Sequence, residues 1–190
     1  MNYKPLPIGI DNFEKLITRG YYFVDKTLLV KELLDKKGDV TLFTRPRRFG
    51  KTLSLSILRY FFEDARNKKA EKVDYSGLFE GLDIMKAGEH YLSFMGKYPV
   101  INLSLKSGRQ PDFEMARDSL IDEIQKEYDR HRYILNTDVL PIDKREKYES
   151  ILTGKADQIE YAKALEFLSK CLEEFHGVKT VILIDEYDVP

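Results

Sequence analysis

The run Thr41-Leu42-Phe43-Thr44-Arg45-Pro46-Arg47-Arg48-Phe49-Gly50-Lys51-Thr52 constrains the fold more tightly than any other part of the chain. A β-type apolar segment, Val40 to Phe43, leads into a turn that ends in Gly-Lys-Thr and opens an apolar helix. Strand, turn and helix in that order form the setting of a phosphate-binding loop. Gly50 lets the backbone approach a phosphate chain. The amides of the turn and the unpaired N–H groups of the new helix point at the anion, and the helix dipole adds positive potential. Lys51 then reaches the β and γ oxygens, and Thr52 offers a hydroxyl to a magnesium ion bridging the same oxygens. The general G-x-x-x-x-G-K-[ST] pattern has glycine where this chain has Arg45, so a solvated basic turn carrying Arg45, Arg47 and Arg48 is the competing reading.

The other informative stretch lies more than a hundred residues on. Val178 to Ile184 is a continuous apolar, β-branched run of the kind that forms a strand buried on both faces, and it stops at Asp185-Glu186. Carboxylates at the carboxyl end of a buried parallel strand are costly unless something compensates them, and open α/β sheets bind their ligands there. In a P-loop enzyme this is the Walker B position, where Asp185 holds magnesium and Glu186 polarises the attacking water. A cap or turn after the strand is the alternative.

Five ordered segments then carry a family resemblance: Leu6-Pro7-Ile8-Gly9, Tyr22-Phe23-Val24-Asp25-Lys26-Thr27, Arg45 to Thr52, Tyr98-Pro99-Val100-Ile101 and Asp185-Glu186-Tyr187-Asp188. Together they resemble the bacterial AAA-ATPase-like family, whose members often carry a PD-(D/E)XK nuclease-like domain downstream. The resemblance implies a P-loop NTPase of the additional-strand, catalytic-glutamate division, with ATP and Mg2+ as cofactors. It also accounts for Arg45, because the family's loop reads arginine there. The leading segment lies near the base in that family, so Tyr22, Phe23 or Asp25 touches adenine on that reading; from the residues alone they are core aromatics and a helix cap.

Composition excludes little but sets the scale. With 43% hydrophobic and 33% charged residues, the 190-residue chain has enough apolar material for one α/β core. The formal charge of -1 argues against a surface built wholly for nucleic acid. Cys171 is alone, so a cysteine metal site and a disulfide framework are both out of reach. No apolar run approaches membrane-spanning length and the first residues lack a signal-peptide pattern, so the expectation is a cytoplasmic protein with no membrane partner.

Caps and periodicity place the helices. Asp11 caps a helix carrying Phe13, Leu16 and Ile17; Asp25 caps a second with Leu28, Leu29, Leu33 and Leu34; and Leu53 to Phe62 is apolar nearly all round. Arg66 to Lys72 reads as a polar surface loop. Pro99 to Leu105 alternates as a strand, Asp112 caps a long helix, and two further helices cover Asp143 to Leu152 and Gln158 to Phe175. His90 has no partner at metal-ligand spacing, and His131 and His176 sit at helix ends, where a dipole contact explains them.

The expected fold is therefore α/β: a P-loop NTPase-like three-layer α/β/α with a mostly parallel sheet. Residues 1–38 form a leading helical segment and 39–190 the core through Walker B. In the implied sheet order a further strand separates the loop strand from the Walker B strand, so the sheet is expected to be truncated and the chain to be the amino-terminal portion of a longer product. The expected nucleotide-binding set is Arg45, Pro46, Arg47, Arg48, Phe49, Gly50, Lys51, Thr52 and Leu53; Lys51 and Glu186 are catalytic, and Thr52 and Asp185 hold magnesium. The expected activity is magnesium-dependent ATP binding, with hydrolysis in the full-length protein coupled to a conformational change. Two alternatives stay open: a nucleotide-dependent switch with little turnover, and a nucleic-acid-associated module linked to a nuclease-like domain.

Overall fold

The computed structural model describes residues 4–44 and 49–187. It divides into two compact units, one formed by the residues up to Glu63 with Asp74–Lys97, the other by Asp64–Val73 and the residues from Tyr98 on.

The first unit is helical. Asn12, in extended backbone, accepts from the Lys15 amide at 2.8 Å and starts α1, Phe13–Thr18. The expected cap one residue earlier, Asp11, is not the cap. Helix α2, Leu29–Lys36, begins without a side-chain cap, so Asp25 does not fill that role either. Its carboxylate instead accepts from the Thr27 amide and hydroxyl and from the Asp83 amide, at 2.7–2.8 Å, while the Thr27 hydroxyl accepts from the Ile84 amide. The Val-Asp-Lys-Thr segment is thereby fastened to the turn at Asp83. Burial favours the neutral Asp25 carboxyl, but these hydrogen bonds outweigh it and hold the group below its ordinary range.

Helix α3, Lys51–Phe62, buries Leu55, Ile57, Leu58, Tyr60, Phe61 and Phe62, as its nearly all-round apolar sequence demands. Phe13 packs at 5.0 Å from Phe79 and 5.6 Å from Phe23, so Phe23 is a packing residue of this unit and Tyr22 remains exposed. The short helix α4, Glu89–Leu92, carries His90, whose ring stands edge-on to Tyr91 and Phe94.

The expected strand at Val40 to Phe43 does not form; residues 41–44 are irregular, and Val40 and Leu42 are 90% and 61% exposed. Four residues, three of them apolar, are too few to hold an extended conformation without a neighbouring strand to take their backbone groups. Among the described residues the sheet has two strands, and this segment belongs to neither.

Those strands are β1, Val100–Ser104, and β2, Val181–Asp185, parallel and in register from Val100 opposite Val181 to Ser104 opposite Asp185. Between them run α5, Phe113–Arg130, α6, Ile142–Leu152, α7, Gln158–Ala162, and α8, Ala164–His176. Asp112 caps α5 as expected, accepting from Met115 at 2.8 Å. The single helix expected over 158–175 is broken at Lys163. Asp157 and Glu160 close a capping box on α7, and the buried Tyr128 hydroxyl donates to the Ala164 carbonyl at 2.7 Å, fixing the start of α8 separately. Ile101 and Leu103 of β1 enter a core with Tyr128, Tyr148, Ile151, Leu168, Cys171 and Leu172. Burial pushes the Cys171 thiol up to about 12, which makes it an inert packing group.

The run at β2 is not buried on both faces as expected. Leu183 and Asp185 are buried, while Ile182 and Ile184 are 45% and 40% exposed. Helix α5 seats on β1, and its cover does not extend across the neighbouring isoleucines.

Candidate functional site

The first unit presents the start of α3. Gly50 is its N-cap, with φ 75° and ψ 31°, a left-handed conformation that a side chain disfavours. Space is not the constraint, since the nearest atom to a Cβ built there is the Lys26 ammonium nitrogen at an ordinary 3.9 Å. Glycine brings no side-chain oxygen to cap the first-turn amides of α3, and that turn holds no acidic residue. Donors, dipole and cations all point to an anion here.

Lys26 is the residue that sequence reasoning missed. It lies in the Tyr22 to Thr27 segment, yet was given no role. The Asp25 and Thr27 hydrogen bonds fasten the turn that presents it, and its exposed side chain reaches the glycine of the loop. The signal was a lysine set between two polar residues that both anchor backbone. Among the described residues neither Lys26 nor Lys51 forms an ion pair. Phe49 is 62% exposed, Leu53 half-buried. Arg45, Pro46, Arg47 and Arg48 lie outside the described residues.

The second unit presents the end of β2. Asp185 is 9% exposed and sits opposite Ser104, and its carboxylate accepts from the Glu186 amide at 3.0 Å. Glu186, half-buried, takes φ 52°. A non-glycine residue in that region is strained by about 1–2 kcal/mol, and such strain gathers at functional positions.

A helix begun by Gly-Lys-Thr, and a parallel strand ending in adjacent carboxylates, are compatible with the P-loop class of α/β proteins. The chain belongs to the predicted AAA-ATPase family, whose model matches residues 7–190. A curated relative from Azotobacter chroococcum mcd 1, described as an uncharacterized protein in the vnfD 5' region, is 28% identical over 192 residues. The match covers 100% of this chain and 30% of the relative, so the chain spans less than a third of that protein's length. No solved structure matches. Among the described residues no helix is long and apolar enough to cross a membrane.

Proposed function

We propose that this chain binds ATP with magnesium at the start of α3, and that in the longer protein the same groups support hydrolysis coupled to a conformational change. The observation that carries the reading is the glycine-started, acid-free N-terminus of α3 with two lysines beside it. Membership of a predicted AAA-ATPase family supports it independently.

The residues fit the nucleotide. On this reading the amides of Lys51, Thr52 and Leu53 bind phosphate oxygens, the Lys51 ammonium spans β and γ, and Lys26 places a second positive charge against the loop. Thr52 and Asp185 are the assigned magnesium ligands, hard oxygen donors of the kind that ion takes beside phosphates and water. Bound magnesium supplies charge neutralisation on the phosphate oxygens. Glu186 is the assigned base, orienting and deprotonating the attacking water. The role of Glu186 rests on its place directly after the strand, with its strained backbone as support.

Calorimetry with magnesium and ATP is the test. Lys51→Ala should abolish binding, and Lys26→Ala should weaken it about tenfold, the size of one lost charge-assisted contact. Unchanged affinity in Lys51→Ala sinks the assignment; unchanged affinity in Lys26→Ala alone removes Lys26 from it and leaves the rest.

A further inference from the structure

The hydrogen bonds through the middle of the second unit do not balance if its histidines are neutral. Asp64 Oδ2 lies 2.9 Å from His176 Nδ1, and His176 Nε2 lies 2.8 Å from the Tyr133 hydroxyl. That hydroxyl is 3.1 Å from His131 Nδ1, and His131 Nε2 is 3.0 Å from the Val100 carbonyl oxygen. Both ends of the series, a carboxylate and a carbonyl, accept without donating. Glu127 Oε1, 3.5 Å from the same His131 nitrogen, is a further acceptor. Four contacts in series between two acceptors require four protons, whereas two neutral imidazoles and one phenol carry three.

We infer that Asp64, His176, Tyr133 and His131 form a buried proton-binding site that retains one proton beyond its neutral complement, on His131, and that this proton latches the Asp64–Val73 segment to the end of α8. With it in place every contact has a donor. His131 donates from both nitrogens, to Val100 and to Tyr133; Tyr133 donates to His176; His176 donates to Asp64. Without it, one pair of atoms faces lone pair to lone pair in a buried place, which is unfavourable.

The surrounding charges say which imidazole carries the proton. Burial pushes His176 below its ordinary value, although the Asp64 hydrogen bond pulls the other way and Arg66 adds repulsion. Burial would raise the Asp64 carboxyl, but Arg66 and His176 outweigh it and keep the group ionised, with Lys72 3.5 Å from its other oxygen. On the His131 side, burial of Glu127 is overcome by His131 and Arg130, and its carboxyl is held at about 2. A cationic His131 therefore faces a carboxylate that stays charged, while His176 remains the neutral link. The latched segment is the piece of chain at which the two units exchange, leaving the first after Glu63 and returning at Asp74. Asn136 holds it from a second side, donating to the Lys68 carbonyl at 2.7 Å.

The sign of the pH dependence follows. A histidine that binds its proton more tightly when folded contributes stability fully present below its unfolded value of about 6.5, and lost as pH rises through the folded value. Nitrogen–proton NMR on the histidine-labelled 190-residue chain at about pH 7.5, one unit above that ordinary value, reads the site directly. His131 should carry protons on both nitrogens and His176 on Nδ1 alone. In Tyr133→Phe the series is cut, so His131 should drop to one proton. The Val73 amide, bonded to the Ala65 carbonyl at 2.9 Å, should then exchange about tenfold faster. A singly protonated His131 in the wild-type chain overturns the site. Unchanged Val73 protection after His131 has lost its charge overturns the latch. If Tyr133→Phe does not fold, the wild-type chain titrated upward from neutral pH gives the same comparison: Val73 protection must fall together with His131 deprotonation, and independence of the two refutes the proposal.

Discussion

At the start of α3, Lys26 and Lys51 stand beside a left-handed glycine with no acidic residue in the first turn, whereas at the end of α5 Arg130 and His131 are folded around a carboxylate. In the first arrangement Lys26 is exposed, and the glycine N-cap brings no side-chain oxygen to the helix start. In the second, Glu127 accepts from Arg130 and from the Asn102 amide at 2.7 Å, and it is 5% exposed. On the proposed reading the charge at the start of α3 awaits a ligand, whereas the charge at the end of α5 is answered by Glu127 and holds the fold. The contrast predicts that removing charge hurts binding in one region and stability in the other.

Glu127→Ala should show the larger effect. It leaves the Arg130 guanidinium and the Asn102 amide without their carboxylate in a buried place, and breaking such a pair typically costs about 3–5 kcal/mol. Hydrogen exchange of the β1 amides and urea denaturation read the loss, and a change under about 1 kcal/mol would erase the distinction drawn here. Acid should act in the same direction. The Glu127 carboxyl is depressed when folded, so its contribution is present above its ordinary value of 4.5 and lost as pH falls toward about 2. The depressed His176 adds to this, since protonation below about 6.5 favours the unfolded chain.

Gly50→Ala probes the open region by a different route. A methyl group meets no clash, but φ 75° strains an L-residue by about 1–2 kcal/mol. The expected outcome is a modest drop in thermal stability together with a large loss of ATP affinity, because relief of the strain turns the first amides of α3 away from the anion. Full affinity with lowered stability would show that the glycine matters to the helix start alone.

These two regions also differ in how far the amino acids announced them. The helix start at Gly50-Lys51-Thr52 and the strand end at Asp185 were readable because a turn glycine before an apolar helix and an apolar run closed by carboxylates are local signals. Helix α5 and its Asp112 cap, α6, and both strands of the sheet were readable from period and capping. The buried network was not, because Asp64 and His176 lie 112 residues apart and His131 and Tyr133 look like ordinary helix-end residues until the chain brings them together. The strand expected at Val40 failed for a related reason: an apolar run records a tendency to pair, and pairing depends on a neighbour the run does not contain. Lys26 fell between the two cases, a short-range motif whose meaning comes from touching a loop two dozen residues on.

The smallest effect discriminates most finely between sequence and structure. Asp11 and Asn12 are adjacent and both are good caps, yet the extended backbone and the 2.8 Å bond to Lys15 belong to Asn12. Asn12 also donates to the Tyr60 hydroxyl at 3.1 Å, tying α1 to α3. Asn12→Ala should therefore cost about 1 kcal/mol or somewhat more, and Asp11→Ala should stay within about 0.5 kcal/mol. Matched urea midpoints for the two variants would mean that either residue can serve and that α1 shifts its start by one position. In that event the Tyr60 hydroxyl would lose its donor from Asn12, and its remaining bond to Glu14, at 2.9 Å, would hold α1 to α3 together with the Phe13 amide's bond to the Ser56 hydroxyl, also 2.9 Å.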